Sequence, residues 1–188
     1  MNIHQYKKMS RIVSDECACA LQAIDVGTVN SYLEILLSAK RVFFVGVGRV
    51  LLSLEAIAKR YAHLGIQTVV VGQITEPAIT PEDVLVVGSG SGETLYPLRI
   101  AEKAKSVGAR VIHIGSNPKS SMSIFEDLFV RIPVESRAKQ ADEIHSRQPM
   151  TSLFEQALLL FGDTTAMMIM EEKNLNLDSL WEFHANLE

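Results

Sequence analysis

The chain has 188 residues, a formal charge of −4 and 47% apolar residues, a length and composition that fit one domain burying a full core. Its Lys and Arg are scattered, with no basic run of the kind that neutralises a phosphate backbone, so nucleic acid is not an expected partner. The first residues lack a signal-peptide core and no uninterrupted apolar run reaches the roughly 18 residues of a membrane span, so a cytoplasmic protein with no membrane partner is expected.

Apolar residues Ile3, Tyr6, Met9, Val13, Leu21 and Ile24, then Val29, Leu33, Leu36 and Leu37, recur at helical spacing and predict two N-terminal helices parted at Gly27. Cys17 and Cys19 lie two apart on the first helix, where their side chains face different ways, and read as small buried hydrophobes rather than a redox or metal pair. From residue 41 the pattern becomes short apolar runs that end at or near glycine: Val42–Gly46, Thr68–Gly72, Val84–Gly88 and Val111–Gly115. A fifth run lies near Leu128–Ile132.

Strands without polar alternation are covered on both faces, as in parallel sheets. Helices over about 49–64 and 94–107, ending at Gly65 and Gly108, supply that cover. The fold class is therefore α/β: a single doubly wound domain with a five-stranded parallel sheet flanked by helices. Residues 1–40 form a helical arm, 41–172 the α/β core and 173–188 a tail. The polar stretch Glu135 to Gln148 has no periodicity and reads as a mobile loop. The long C-terminal helix, from about 152 to 172, carries more apolar surface than one sheet face would cover, which predicts burial against another subunit.

The segment Gly88-Ser89-Gly90-Ser91-Gly92-Glu93-Thr94 leaves a buried strand and enters a helix. Backbone N–H groups and the positive end of the helix dipole converge there, and Ser89, Ser91 and Thr94 add hydroxyls, so the segment reads as a phosphate cradle. The competing reading is an ordinary strand-to-helix turn capped by Ser or Thr. No Gly-Lys-Ser/Thr occurs, which excludes a nucleotide P-loop, and no acidic cluster accompanies the loop to hold magnesium, so no metal is expected there. A second glycine turn, Gly46-Val47-Gly48-Arg49, places Leu51 at the third glycine of the dinucleotide fingerprint, against a nicotinamide cofactor. Arg49 at that helix start is either solvated or substrate-binding.

Taken together, Gly46-Val47-Gly48-Arg49, His63-Leu64-Gly65, Val71-Gly72 with Thr75–Ile79, the Ser89–Thr94 loop, Gln148-Pro149-Met150, Ser152–Ala157 and the tail His184–Glu188 resemble the 6-phospho-3-hexuloisomerases, a branch of the sugar isomerase (SIS) domain family. The resemblance runs over nearly the whole chain. It implies a cytoplasmic, tetrameric, cofactor-free isomerase that interconverts D-arabino-3-hexulose 6-phosphate and D-fructose 6-phosphate in the ribulose monophosphate route of formaldehyde fixation. It also implies Glu155 as the base, His63 as the acid or ring-opening group, and Gly48, Arg49, Ser89, Gly90, Ser91 and Thr94 as the phosphosugar contacts.

The residues alone leave other roles open. Ser152-Leu153-Phe154-Glu155 reads as a capping box, and His63 in a last helical turn suits the negative helix end. The resemblance would bring His184 to a neighbour's site, whereas the sequence equally allows a solvent-facing side chain so close to a chain end. One departure stands out: the resembled turn runs Gly-x-Gly-Arg-Ser, and here Val50 replaces the serine, with Ser53 almost a helical turn further on. Two alternatives remain beside the isomerase: a non-catalytic sugar-phosphate sensor, and an isomerase of another phosphosugar.

Overall fold

The computed structural model describes residues 3–136 and 140–187, with Ser179 described by its backbone alone. Residues 137–139 of the polar stretch and Glu188 of the tail lie outside the described residues. Two helices, α1 (Ile3–Gln22) and α2 (Val26–Ser38), precede the alternating part of the chain. That part runs β1 (Val42–Val45), α3 (Gly48–His63), β2 (Thr68–Val70), β3 (Val84–Gly88), α4 (Leu95–Val107), β4 (Arg110–Gly115) and β5 (Leu128–Arg131). Helix α5 (Ser152–Glu172) and a short 3-10 helix, Asp178–Phe183, close it.

The five strands form one parallel sheet in the order β2-β1-β3-β4-β5. The central strands β1 and β3 are buried at every residue, as their unbroken apolar runs predict, while the edge strand β2 is half-buried. Strand alternation sorts the core into two layers. Phe44, Val86, Ile112 and Ile114 face α1, α2, α3 and α5, whereas Phe43, Val45, Leu85, Val87 and Val111 face α4.

Helix α5 packs along α3, and the two run parallel: Ser53 meets Glu155, Arg60 meets Asp163 and Tyr61 meets Thr165. A Cβ at Gly162 would lie 2.2 Å from Ile57 Cγ1, so glycine there sets how closely the helices approach. Between them, the buried hydroxyls of Tyr32, Tyr61 and Thr165 form a chain of 3.1 and 2.6 Å contacts. Burial raises the Tyr61 phenol to about 12. By length and composition α5 is apolar enough to cross a membrane, yet Leu153, Phe154, Leu158, Phe161 and Ile169 are buried inside the fold, as in a core helix. Only Leu160 and Met167 among its large hydrophobics stay exposed, so most of the apolar surface expected to need a partner is covered by this chain's own α1 and α3.

Four local expectations need correction. The first two helices part at Asp25 rather than Gly27, because the Asp25 carboxylate accepts from the Thr28 amide at 2.7 Å and caps α2. Cys17 is buried, but Cys19 is exposed. The capping box at residues 152–155 does not form: Thr151 occupies the cap, the Ser152 hydroxyl donates to the Pro149 carbonyl, and Glu155 is engaged elsewhere. The described part of the polar stretch is tied down, since Val134 pairs with Ile144, and Glu16 of α1 accepts from Ser146 Oγ, the Arg147 amide and Gln148 Nε2 at 2.7–3.1 Å.

Candidate functional site

The carboxyl ends of β1, β3 and β4 open into a cleft of about 540 Å³. It is lined by Ser89, Gly90, Ser91 and Thr94 from the loop after β3, by Val47 and Val50 at the start of α3, by Ser116 after β4, by Glu135 and Ser136, and by Met150, Thr151 and Phe154 at the start of α5. This is the edge at which parallel α/β sheets bind ligands. A larger hollow of about 760 Å³ lies between α2 and α5, where Glu34, Glu171 and Glu172 make an acidic lining unsuited to a phosphate.

The serine loop is held from several directions. The Ser89 amide donates to the Ile114 carbonyl at 3.1 Å, and the amides of Ser116 and Asn117 donate to the Gly90 carbonyl at 2.9 and 3.2 Å. Asn117 Nδ2 donates to the Ser91 carbonyl at 3.2 Å. Glu93 accepts from the Ser121 amide at 2.7 Å, a bond that holds its carboxyl below the ordinary carboxylate range. The turn is completed by the Gly92 amide, which donates to both the carbonyl and the hydroxyl oxygen of Ser89 at 3.1 Å. Gly92 has φ +67°, and a Cβ there would lie 2.2 Å from Ser120 Oγ, so no other residue fits this corner.

While the carbonyls of Ser89, Gly90 and Ser91 are occupied, the amides of Gly90, Ser91 and Thr94 have no protein acceptor among the described residues. Three donors without a protein acceptor, at the positive end of α4 and beside a cleft, are the arrangement that an anion would satisfy. Thr94 occupies the N-cap of α4, but its hydroxyl makes no capping bond and lies 3.4 Å from Ser89 Oγ. The plain capped-turn reading therefore fails at Thr94, whose hydroxyl remains available at the cleft.

The other expected site residues divide into two groups. Gly48 and Arg49 open α3 beside the cleft, with Gly48 at φ +59°. The Arg49 Nε donates to Glu155 Oε2, so Arg49 is partly engaged rather than merely solvated, although its side chain is 64% exposed and that of Glu155 only 11%. The Glu155 carbonyl accepts from Ser53 Oγ at 2.9 Å, which commits Ser53 to α5 and removes it as a substitute for the hydroxyl absent at Val50. Neither Glu155 nor Arg49 is among the residues that line the cleft, though each adjoins in sequence one that does, Phe154 and Val50.

His63 and His184 form the second group, away from the cleft. His63 ends the 16-residue helix whose first turn borders the cleft, and at 1.5 Å rise per residue the two ends are about 22 Å apart. The rings of His63 and His184 stack with centroids 5.0 Å apart, and Trp181 lies 4.9 Å from His184. The tail is thus docked through His184 on the end of α3, and the chain does not bring its own His63 or His184 to its own Glu155.

Sequence reading missed Ser116. It is 1% exposed, lines the cleft, and its hydroxyl has no hydrogen-bond partner among the described residues. Its place just after β4, level with the serine loop after β3, was the available signal. Among the described residues no three His, Cys, Asp or Glu side chains gather as a metal site.

Residues 35–160 match the SIS domain family model. The chain is 39% identical to a 3-hexulose-6-phosphate isomerase of Bacillus subtilis over 81% of this chain and 83% of that protein. It is 36% identical to a 3-hexulose-6-phosphate isomerase of Mycobacterium gastri over 94% and 88%. A solved protein of Methanococcus jannaschii, whose structure was described as inferring a 3-hexulose-6-phosphate isomerase function, superimposes with a TM-score of 0.83 at 29% identity, covering 96% of this chain and 99% of that one.

Proposed function

Because the chain belongs to the SIS domain family, in its 3-hexulose-6-phosphate isomerase branch, we propose that it interconverts D-arabino-3-hexulose 6-phosphate and D-fructose 6-phosphate without a cofactor. The observation that carries this reading is the 36–39% identity to two such isomerases over most of the chain. The serine loop supplies its physical counterpart: a phosphoryl group held by the amides of Gly90, Ser91 and Thr94 and the hydroxyls of Ser89, Ser91 and Thr94 fixes the sugar at one distance from the reacting carbons.

The reaction removes the C2 proton of the 3-ketose, forms an enediol across C2 and C3 and returns a proton to C3, while the oxygen-bound protons exchange between O2 and O3. Glu155 is the proposed base, with Arg49 donating to its carboxylate and orienting it. His63 is the proposed acid or ring-opening group. Since His63 lies at the far end of α3 from this chain's cleft, it serves a neighbouring subunit's site, and His184, stacked on it, travels with it. The exposed apolar residues Ile3, Tyr6, Met9 and Val13 along α1 support an oligomer, taken as a tetramer, and a cytosolic location accords with the metabolic role.

The test is to incubate the purified chain with fructose 6-phosphate and follow the 3-hexulose by coupled assay or NMR. Turnover is expected. Binding of fructose 6-phosphate without turnover would replace the isomerase reading with a sensor.

A further inference from the structure

The histidine of β4 has no part in the chemistry above. His113 is fully buried, points to the face covered by α4 and packs against Phe129 with ring centroids 5.0 Å apart. Both of its ring nitrogens meet oxygen: Nδ1 lies 2.7 Å from Glu126 Oε2, and Nε2 lies 2.9 Å from the Ser89 carbonyl oxygen. A carbonyl oxygen only accepts, so Nε2 carries a hydrogen and donates it to Ser89. Glu126, whose side chain is 12% exposed, holds the opposite edge of the ring. Gly115 and Gly92 leave the ring its space, since a Cβ at these positions would lie 2.5 Å from Nε2 and 3.1 Å from Cε1.

The Ser89 carbonyl also accepts from the Gly92 amide at 3.1 Å, so both of its lone pairs are occupied. That fixes the plane of the Ser89–Gly90 peptide. No peptide among the described residues is cis, and in a planar trans peptide the N–H points opposite to the C=O. With the carbonyl drawn inward onto His113, the Gly90 N–H points outward at the cleft, where no protein acceptor meets it. A row of hydrogen bonds from Glu126 through the imidazole to the carbonyl polarises that amide and strengthens it as a donor.

We propose that His113, oriented by Glu126, is a positioning residue of the anion loop, aiming the Gly90 amide at the phosphoryl group of the bound ligand. The inference rests on the reading of the cleft as a phosphosugar site. A histidine that merely fastened the loop to β4 would affect thermal stability and leave ligand affinity unchanged in the folded protein.

The experiment measures calorimetric affinity of the full chain for inorganic phosphate and for fructose 6-phosphate, in the native protein and in His113→Leu, His113→Gln and Glu126→Gln. His113→Leu is expected to weaken both anions about five- to twentyfold, and His113→Gln, which keeps an N–H donor, to recover part of the loss. KM for fructose 6-phosphate should rise by a similar factor while kcat changes less than about threefold. Glu126→Gln leaves the ring in place and should cost about two- to fivefold. Binding of both anions by folded His113→Leu within twofold of the native protein overturns the proposal. Should His113→Leu fail to melt cooperatively, unchanged affinity in Glu126→Gln overturns it instead. A native protein that binds neither anion defeats the reading of the cleft before any variant is compared. A native protein that binds both but has indifferent variants defeats only the role of His113.

Discussion

The rings of His63 and His184 stack 5.0 Å apart with their planes 24° from parallel, at the end of α3 remote from the cleft that its first turn borders. The arrangement separates the proposed base and acid by most of a helix within one chain. If Glu155 of one subunit works with His63 of another, activity lost in two different variants can be restored by mixing them. Glu155→Gln and His63→Ala are each expected to lose at least about a hundredfold in kcat. Co-refolded mixtures should recover a measurable fraction of native activity, because some interfaces then pair two intact residues. Mixtures no more active than the separate variants would show that the two side chains do not cooperate across subunits.

Ser116 leads to a prediction in which stability and binding move apart. Its hydroxyl is buried without a partner, so Ser116→Ala removes a polar group that already pays a desolvation penalty. The unliganded protein should melt at the same temperature or higher. Fructose 6-phosphate should bind about three- to tenfold more weakly if the ligand is the missing partner, and thermal melts with and without the sugar phosphate measure both effects. A lower melting temperature in the free variant would place the hydroxyl in the fold rather than the site.

The contrast between Ser116 and Ser89 shows where sequence reading reaches its limit. The serine loop was legible because its glycines and hydroxyls are contiguous and sit between a strand run and a helix run, so the site is written in one segment. The five strands were legible for the same reason, as buried parallel strands are unbroken apolar runs. Ser116 and His113 were not, because their significance depends on strand order: β4 lies beside β3, and only that neighbour relation puts His113 against the Ser89 carbonyl and Ser116 beside Gly90. The capping box failed at Glu155 because a local pattern was outcompeted by a guanidinium 106 residues away in sequence, brought close by parallel packing of α3 and α5.

Arg49 and Glu155 should be separable by their effects on stability and rate. The Arg49 side chain is 64% exposed, so the pair contributes less than about 1 kcal/mol to folding, and Arg49→Leu should leave the melting temperature nearly unchanged. Its expected effect is on catalysis, with kcat/KM falling about tenfold or more as the carboxylate loses its cationic neighbour, and Arg49→Lys retaining more activity than Arg49→Leu. Equal activity of Arg49→Leu and the native enzyme would leave Arg49 as a surface charge only.

Acid stability can be assigned to particular carboxylates. Burial alone would raise the Asp83 carboxyl, but the bidentate Arg41 guanidinium at 3.0 and 2.8 Å and the Thr80 amide and hydroxyl at 2.7 and 2.8 Å outweigh it and hold the group below its ordinary range. Glu16 behaves likewise: burial works to raise it, and hydrogen bonds from Arg147, Ser146 and Gln148 lower it overall. Asp142, fully exposed and paired with Arg131, falls to about 2. A carboxyl with a depressed folded value contributes stability above its unfolded value, near 4, and that contribution disappears as the pH falls through the folded value. The protein should therefore keep a constant melting temperature down to about pH 5 and lose stability progressively toward pH 2. Asp83→Asn, which breaks a largely buried pair at the base of the sheet, should cost about 3 kcal/mol at neutral pH and flatten the acid limb of the curve. Denaturant melts of both proteins from pH 2 to 8 measure this, and parallel acid limbs in the two would remove Asp83 from the account.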